Sequence, residues 1–92
     1  MTIKKLKKMP YAQAHVEIHN DKSTYLFSYV TLVAAIDKDG WLTVYGLHSQ
    51  TTRKHISAFM SEYTGLDYYT AKKCYTDGYR INIHTGEIEE IG

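Results

Sequence analysis

Hydrophobic and polar residues alternate in the first regular segment of the chain, which runs from Tyr11 to His19. Alternate residues of a strand point to opposite faces, so this period of two predicts a strand with one buried and one exposed face. The next segment, Tyr25 to Ile36, is apolar on both faces apart from Ser28 and Thr31, which predicts one long central strand. Trp41 to Leu47 predicts a third strand, so the first half of the chain is expected to form an antiparallel meander.

The hydrophobic period changes to that of a helix after the third strand. Apolar residues recur at the spacing i, i+3, i+4 and i+7 of an amphipathic helix, at Ile56, Phe59, Met60 and Tyr63. Ser49 or Thr51 can cap the start of this helix, and Gly65 can end it in the left-handed conformation. A second, shorter helix is predicted between a cap at Asp67 and a terminating Gly78.

Two short strands are predicted after the helices, Tyr79 to Ile83 and Ile88 to Ile91, on either side of a hairpin signal. The predicted element order is therefore βββ-αα-ββ. This order is typical of an α+β domain in which two helices pack on one face of an antiparallel sheet. At 92 residues, the chain is expected to be a single domain, residues 1–92.

The composition excludes several classes of protein. The net charge of +1 argues against a strongly basic nucleic-acid-binding protein, and the single cysteine, Cys74, excludes an intramolecular disulfide. The first lysines are not followed by the apolar core of a signal peptide, and the longest apolar run is too short to span a bilayer. We therefore expect a cytoplasmic protein that does not bind to a membrane.

Charged residues are distributed unevenly along the chain. Four lysines stand near the start, at Lys4, Lys5, Lys7 and Lys8. Three glutamates stand near the end, at Glu87, Glu89 and Glu90. Pro10 separates the lysines from the first predicted strand, so residues 1–10 are expected to be a flexible basic arm.

His15, Glu17 and His19 are weak candidates for a metal site. Alternate strand residues project from one face about 6.6–7 Å apart, and two imidazoles with a carboxylate can bind Zn²⁺ or Fe²⁺. An exposed strand face carries polar residues at alternate positions in any case, so the pattern is weak evidence for a metal. No nucleophile elbow, zinc-binding helix motif or phosphate-binding glycine loop is found. We therefore predict no catalytic residues and no cofactor.

The most informative segment for function lies at the predicted start of the first helix. A first helical turn leaves backbone N–H groups unpaired, so hydroxyl and cationic side chains there can complete an anion site. The candidate anion- or partner-binding residues are Ser49, Thr51, Thr52, Arg53, Lys54 and His55. Ordinary caps and the exposed face of an amphipathic helix account for the same residues, so both interpretations stay open. The binding hypothesis requires Arg53, Lys54 and His55 to be exposed.

Two short motifs resemble a family pattern. The first, "SYxTxVA", is matched by Ser28, Tyr29, Thr31, Val33 and Ala34. The second, "SxTTxKH", is matched by Ser49, Thr51, Thr52, Lys54 and His55. Together they resemble small uncharacterised proteins encoded by bacteriophages and other mobile elements. The resemblance implies a bacterial host cell as the location, and it assigns no catalytic or ligand-binding residue.

Three hypotheses for function follow. The first is a non-catalytic, phage-type binding protein that docks on a host macromolecule, such as a host defence protein inhibited in the manner of an anti-CRISPR protein. The second is a nucleic-acid- or phosphate-binding accessory protein that uses the basic helix start. The third is a metal-dependent enzyme built on His15, Glu17 and His19. The sequence also leaves a homodimer open, because an exposed edge strand can pair with a second copy.

Overall fold

The computed structural model describes residues 1–47 and 49–91. The strands in this part of the chain are β1 (Thr2–Lys4), β2 (Ala14–Ile18), β3 (Thr24–Ser28), β4 (Thr31–Ile36), β5 (Trp41–Val44), β6 (Tyr79–Asn82) and β7 (Ile88–Glu90). Helices α1 (Gln50–Tyr63) and α2 (Tyr68–Asp77) lie between β5 and β6. All seven strands form one antiparallel sheet, in which the spatial order equals the chain order. The predicted α+β fold with an antiparallel sheet is confirmed.

The two helices pack on one face of the sheet and bury its alternate residues. One row of paired core residues crosses β2, β3, β4 and β5, at Val16, Leu26, Ala34 and Val44. These residues belong to the same buried cluster as Ile56, Phe59 and Met60 of α1. The apolar stripe predicted for α1 is therefore the stripe that packs on the sheet.

The segment predicted as one long strand is two strands joined by a tight turn. Tyr29 and Val30 form the turn between β3 and β4, and Tyr29 has a φ of 57°. The period-two pattern of each strand could not be seen in the sequence, because the face of the sheet opposite the helices is also rich in apolar residues. On that face Phe27 pairs with Leu32, and both are half-buried. This split, together with the unpredicted strand β1, means that five strands rather than three precede the helices.

The lysine-rich segment before β2 is packed against the fold, which differs from the predicted flexible arm. β1 pairs with β2 at the edge of the sheet, and Leu6 is completely buried in the core. The Lys7 backbone N–H donates to Glu62 Oε1 at 2.8 Å, and Lys8 Nζ donates to Ser61 Oγ at 2.6 Å. The burial of Leu6 could not be predicted from the sequence, because lysines stand on both sides of it and runs of charge usually indicate a solvated segment.

The helix ends agree with the predicted caps. The Ser49 side chain caps α1, and the Asp67 side chain caps α2. Gly78 ends α2 in the left-handed conformation, with a φ of 71°. Helix α2 buries Ala71 and Cys74. No helix in the described part of the chain is long and apolar enough to cross a bilayer.

Candidate functional site

The two sequence motifs meet where β3 ends and α1 begins. Ser28 Oγ, at the end of β3, lies 3.1 Å from Thr52 Oγ1 and 2.9 Å from His55 Nδ1, both in α1. Each of the three side chains is at most 4% exposed. Because a buried polar group is costly unless it is hydrogen-bonded, these three residues stabilise one another's burial. We call them the polar cluster.

Helix geometry and a cap connect the polar cluster to the surface. Ser49, Thr52 and His55 are spaced three residues apart, so they lie along one side of the first helical turns. Ser49 Oγ accepts a hydrogen bond from the Thr52 backbone N–H at 3.1 Å and lies 3.2 Å from Thr52 Oγ1. The residue that caps α1 is therefore also hydrogen-bonded to the polar cluster.

His55 is buried, so the prediction that it belongs to the exposed face of α1 is wrong. Arg53 and Lys54 are exposed as predicted. The buried stripe begins one turn earlier than its apolar residues indicate, because polar residues continue the i, i+3, i+4, i+7 pattern at Thr52, His55, Ile56 and Phe59. Burial lowers the pKa of His55 from its ordinary value of 6.5, because desolvation disfavours the charged imidazolium.

A shallow pocket of about 350 Å³ opens beside the polar cluster. Its lining residues all belong to the two motifs, and they are Ser28, Tyr29, Thr31, Val33, Ser49 and Thr52. Of the predicted binding residues, the structure places Ser49 and Thr52 in this pocket. Sequence reasoning missed Ser28 and Thr31 as site residues, although they were the only polar interruptions in an apolar run.

Tyr29 occupies a strained position between the pocket and solvent. Its φ of 57° lies in the left-handed region, which an aromatic residue rarely adopts. Its backbone N–H donates to the Gln13 carbonyl at 2.6 Å, and its ring centroid lies 6.1 Å from that of His55. Strained backbone persists only where the surrounding structure determines it, and it is frequent at functional sites.

Exposed aromatic and cationic residues lie at the same end of the sheet as this turn. Tyr11 precedes β2 and Tyr45 follows β5, and the strand register places both near the β3–β4 turn. Both tyrosines are exposed, and Val30 at the tip of the turn is 93% exposed. Arg53 projects from the first turn of α1 and is also exposed. We call Tyr11, Tyr29, Val30, Tyr45 and Arg53 the tyrosine surface.

His15, Glu17 and His19 share the sheet face opposite the helices, as their spacing predicted. The two imidazole Nε2 atoms lie 3.3 Å and 3.4 Å from the two carboxylate oxygens of Glu17. The ring of His15 stacks on Phe27, and the ring of His19 packs edge-on against Tyr25. Across residues 1–47 and 49–91, no group of three or more His, Cys, Asp or Glu side chains is arranged to hold a metal ion. This arrangement is a carboxylate–imidazole network that stabilises the face.

The contact between Ser28 and His55 has the length of a nucleophile–base hydrogen bond, but its surroundings do not favour catalysis. A lowered pKa makes His55 a weaker general base. The hydroxyl of Ser28 is shared with Thr52. A catalytic base is usually oriented by a third group, and no carboxylate is hydrogen-bonded to His55 in the described residues. The polar cluster is therefore best explained as a structural link.

These features define a small α+β protein with a hydrogen-bonded link between a strained hairpin and a helix start. The chain belongs to the family of unknown function DUF8033, whose family model matches residues 1–78. The matched range contains both motifs and the whole polar cluster. Neither the curated proteins nor the solved structures include a match to this chain.

The buried state of His55 predicts a pH-dependent stability. Its folded pKa is lowered, so the unfolded chain binds a proton more readily than the folded chain below pH 6.5. The contribution of neutral His55 is therefore fully present above about pH 6.5 and is lost as the pH falls towards the folded pKa. We expect urea unfolding of the wild-type chain to show a steeper loss of stability below pH 6.5 than that of His55→Asn.

The comparison with His55→Asn isolates His55 because the other four histidines of the sequence are present in both proteins. Ser57→Asn is the matched control, since it changes an exposed residue of the same helix, removes no titrating group and should keep the wild-type slope. Equal slopes for the wild-type chain and His55→Asn would contradict the burial of a neutral imidazole.

Proposed function

We propose that this protein is a non-catalytic binding protein that docks on another protein through the tyrosine surface. The observation that carries this proposal is the polar cluster, which fastens the β3–β4 turn to the start of α1. This link holds exposed Tyr29 and Val30 at the start of α1, the helix whose first turn also carries exposed Arg53.

The chemistry of the tyrosine surface is that of a protein interface. Tyr and Arg are among the residues that contribute most to binding energy in interfaces. Tyrosine offers a large contact area at a low cost in conformational entropy, because its side chain has only two rotatable bonds of consequence. Tyr11, Tyr29 and Tyr45 are all exposed around Val30 and Arg53.

The site is also organised before a partner arrives. Three buried hydrogen-bonding side chains and a backbone hydrogen bond from Tyr29 to Gln13 hold the turn in one conformation. Binding by a preorganised surface loses less conformational entropy than binding by a mobile loop. The adjacent pocket, lined by five hydroxyl-bearing residues and one valine, is large enough for a small side chain of the partner. Arg53 lies in the same first turn of α1 as the pocket residue Thr52, so it favours an acidic or other hydrogen-bond-accepting group on the partner.

The partner we propose is a protein of the bacterial host, such as a host defence protein, and we propose that binding takes place in the host cytoplasm. The resemblance of the two motifs to those of phage-encoded proteins supports this choice. The pocket supports it further, because six of the ten residues that carry the resemblance line it.

A photocrosslinking amino acid at Val30 tests the proposal. We expect this position to capture a discrete partner in host cells, because Val30 stands at the tip of the turn. The matched control position is Lys38, which is exposed in the β4–β5 turn at the opposite end of the sheet and should not capture it. Arg53→Ala and Tyr45→Ala should each reduce the captured yield about tenfold, the effect of losing a contact worth about 1.4 kcal/mol.

Both alanine substitutions change exposed residues, so their melting temperatures should remain close to that of the wild-type chain. Capture of the same proteins from Val30 and Lys38 would argue against a specific surface. Unchanged capture in both Arg53→Ala and Tyr45→Ala would contradict the proposed surface.

A second candidate function, nucleic-acid binding, is favoured by one specific observation. Lys8 and Lys54 line the same shallow depression, of about 280 Å³, between the N-terminal segment and α1. Lysines placed together on a folded surface can contact successive phosphates. The near-neutral net charge of the chain limits the strength of such binding.

A gel shift with a short single-stranded oligonucleotide tests this second candidate. Binding through Lys8 and Lys54 should weaken with salt, and Lys54→Ala should reduce the slope of log affinity against log salt by about one. Lys72→Ala, which changes an exposed residue of α2, is the control and should keep the wild-type slope. The absence of a shift at about 50 mM salt would eliminate this candidate.

A further inference from the structure

Both edges of the described sheet present strands with unpaired backbone groups. β1 pairs only with β2, and β7 pairs only with β6. Every residue of these two edge strands is exposed. Such edges are able to accept another strand, and proteins commonly prevent this with charged residues.

The two edges carry opposite charges. β1 ends at Lys4 and is followed by exposed Lys5, whereas β7 contains Glu89 and Glu90. Pairing between two β1 edges would bring the lysines of both copies into one contact, and pairing between two β7 edges would bring the glutamates of both copies together, so like charges would repel in either contact. The charges therefore disfavour a contact between two β1 edges or two β7 edges, but they favour a contact between β1 of one copy and β7 of another.

The direction and the faces of the edge strands also agree with a β1–β7 contact. Six successive antiparallel pairings make β7 parallel to β1. Lys4 is paired with buried Val16, so it lies on the helix-covered face of the sheet. Ile88 lies on that face as well, through its pairing with Ile81, and so does Glu90 two residues later.

We propose that a second copy of this chain docks edge to edge, with β7 of one copy parallel to β1 of the next. Aligning Thr2 with Ile88 continues the sheet with all helices on one side and places Lys4 beside Glu90. Glu89 is already paired with Arg80 of its own chain at 3.0 Å, so Glu90 supplies the free carboxylate. Ile3 and Ile88 are 61% and 60% exposed in the single copy, and the same contact removes part of their apolar surface from water.

This contact joins different surfaces of the two copies, so it does not end at a twofold dimer. A head-to-tail contact produces a ring if the rotation closes and an open filament if it does not. The inference goes beyond the proposed function and does not rest on it, because the tyrosine surface lies at the strand ends and the contact uses the sheet edges.

Sedimentation of the full chain over a range of concentrations tests the inference. The wild-type chain should self-associate at low salt and dissociate at about 1 M salt, where screening shortens to about 3 Å. Lys4→Glu and Glu90→Lys should each weaken association about tenfold, because each places like charges in the contact. An equimolar mixture of the two variants should associate as the wild-type chain does, since each altered edge then meets an opposite charge.

Lys72→Glu is the matched control, because it makes the same charge change on α2, away from both edges. It should associate like the wild-type chain. Thermal melts should be similar for all variants, since both edge residues are exposed. A wild-type chain that stays monomeric at about millimolar concentration in low salt would overturn the inference, and so would single variants that associate as well as the wild-type chain. Failure of the mixture to recover association would overturn the pairing of Lys4 with Glu90.

Discussion

The requirement that buried polar groups find hydrogen-bond partners determines how the two halves of this fold meet. Ser28 is separated by 24 residues from Thr52 and by 27 from His55, yet its hydroxyl is hydrogen-bonded to both side chains in the interior. Leaving one such group without a partner costs about 1–3 kcal/mol, so a shift of α1 along the sheet that breaks these contacts is disfavoured. Apolar packing by Ile56 and Phe59 supplies the attraction between helix and sheet, while the polar cluster selects the register.

This placement has consequences for the surface above it. The β3–β4 turn is held against the first turn of α1, with Tyr29 in a backbone conformation that is unfavourable for an aromatic residue. The same link places exposed Tyr29 beside a hydroxyl-lined pocket at the start of α1. In the function proposed above, a partner binds this surface, whose turn is already held in place.

Much of the fold could be predicted from the sequence, because its regular elements bury apolar residues at regular spacing. The stripe of α1, the caps at Ser49 and Asp67, and the C-terminal hairpin all follow from local chemistry. The break between β3 and β4 could not be found by hydrophobicity alone, since the two strands are apolar on both faces. Ser28 and Thr31, which flank the turn, were the only local indication of it.

The remaining errors concern polar residues that are buried and an apolar residue surrounded by charge. His55 was expected at the surface because imidazoles are usually solvated, whereas its partner Ser28 comes from a distant strand that no local pattern connects to it. Leu6 was hidden among lysines, although it is completely buried against the core. In both cases, contacts with residues distant in the sequence determine whether the side chain is buried. The six binding residues predicted at the helix start are accordingly divided: Thr52 and His55 are buried, and the exposed ones are Ser49, Thr51, Arg53 and Lys54.

A double-mutant cycle between Ser28→Ala and His55→Phe tests the central link most directly. Ser28→Ala leaves the buried His55 Nδ1 without its partner, and His55→Phe removes one of the two hydrogen bonds of Ser28. The double substitution loses the Ser28–His55 contact only once and leaves no unpaired imidazole, so it should cost less stability than the sum of the singles. We predict a coupling free energy of about 1 kcal/mol from urea unfolding, within the range for residues in contact. The control cycle of Ser28→Ala with the exposed Ser57→Ala should be additive to within about 0.5 kcal/mol. Additive effects of Ser28→Ala and His55→Phe would contradict the account.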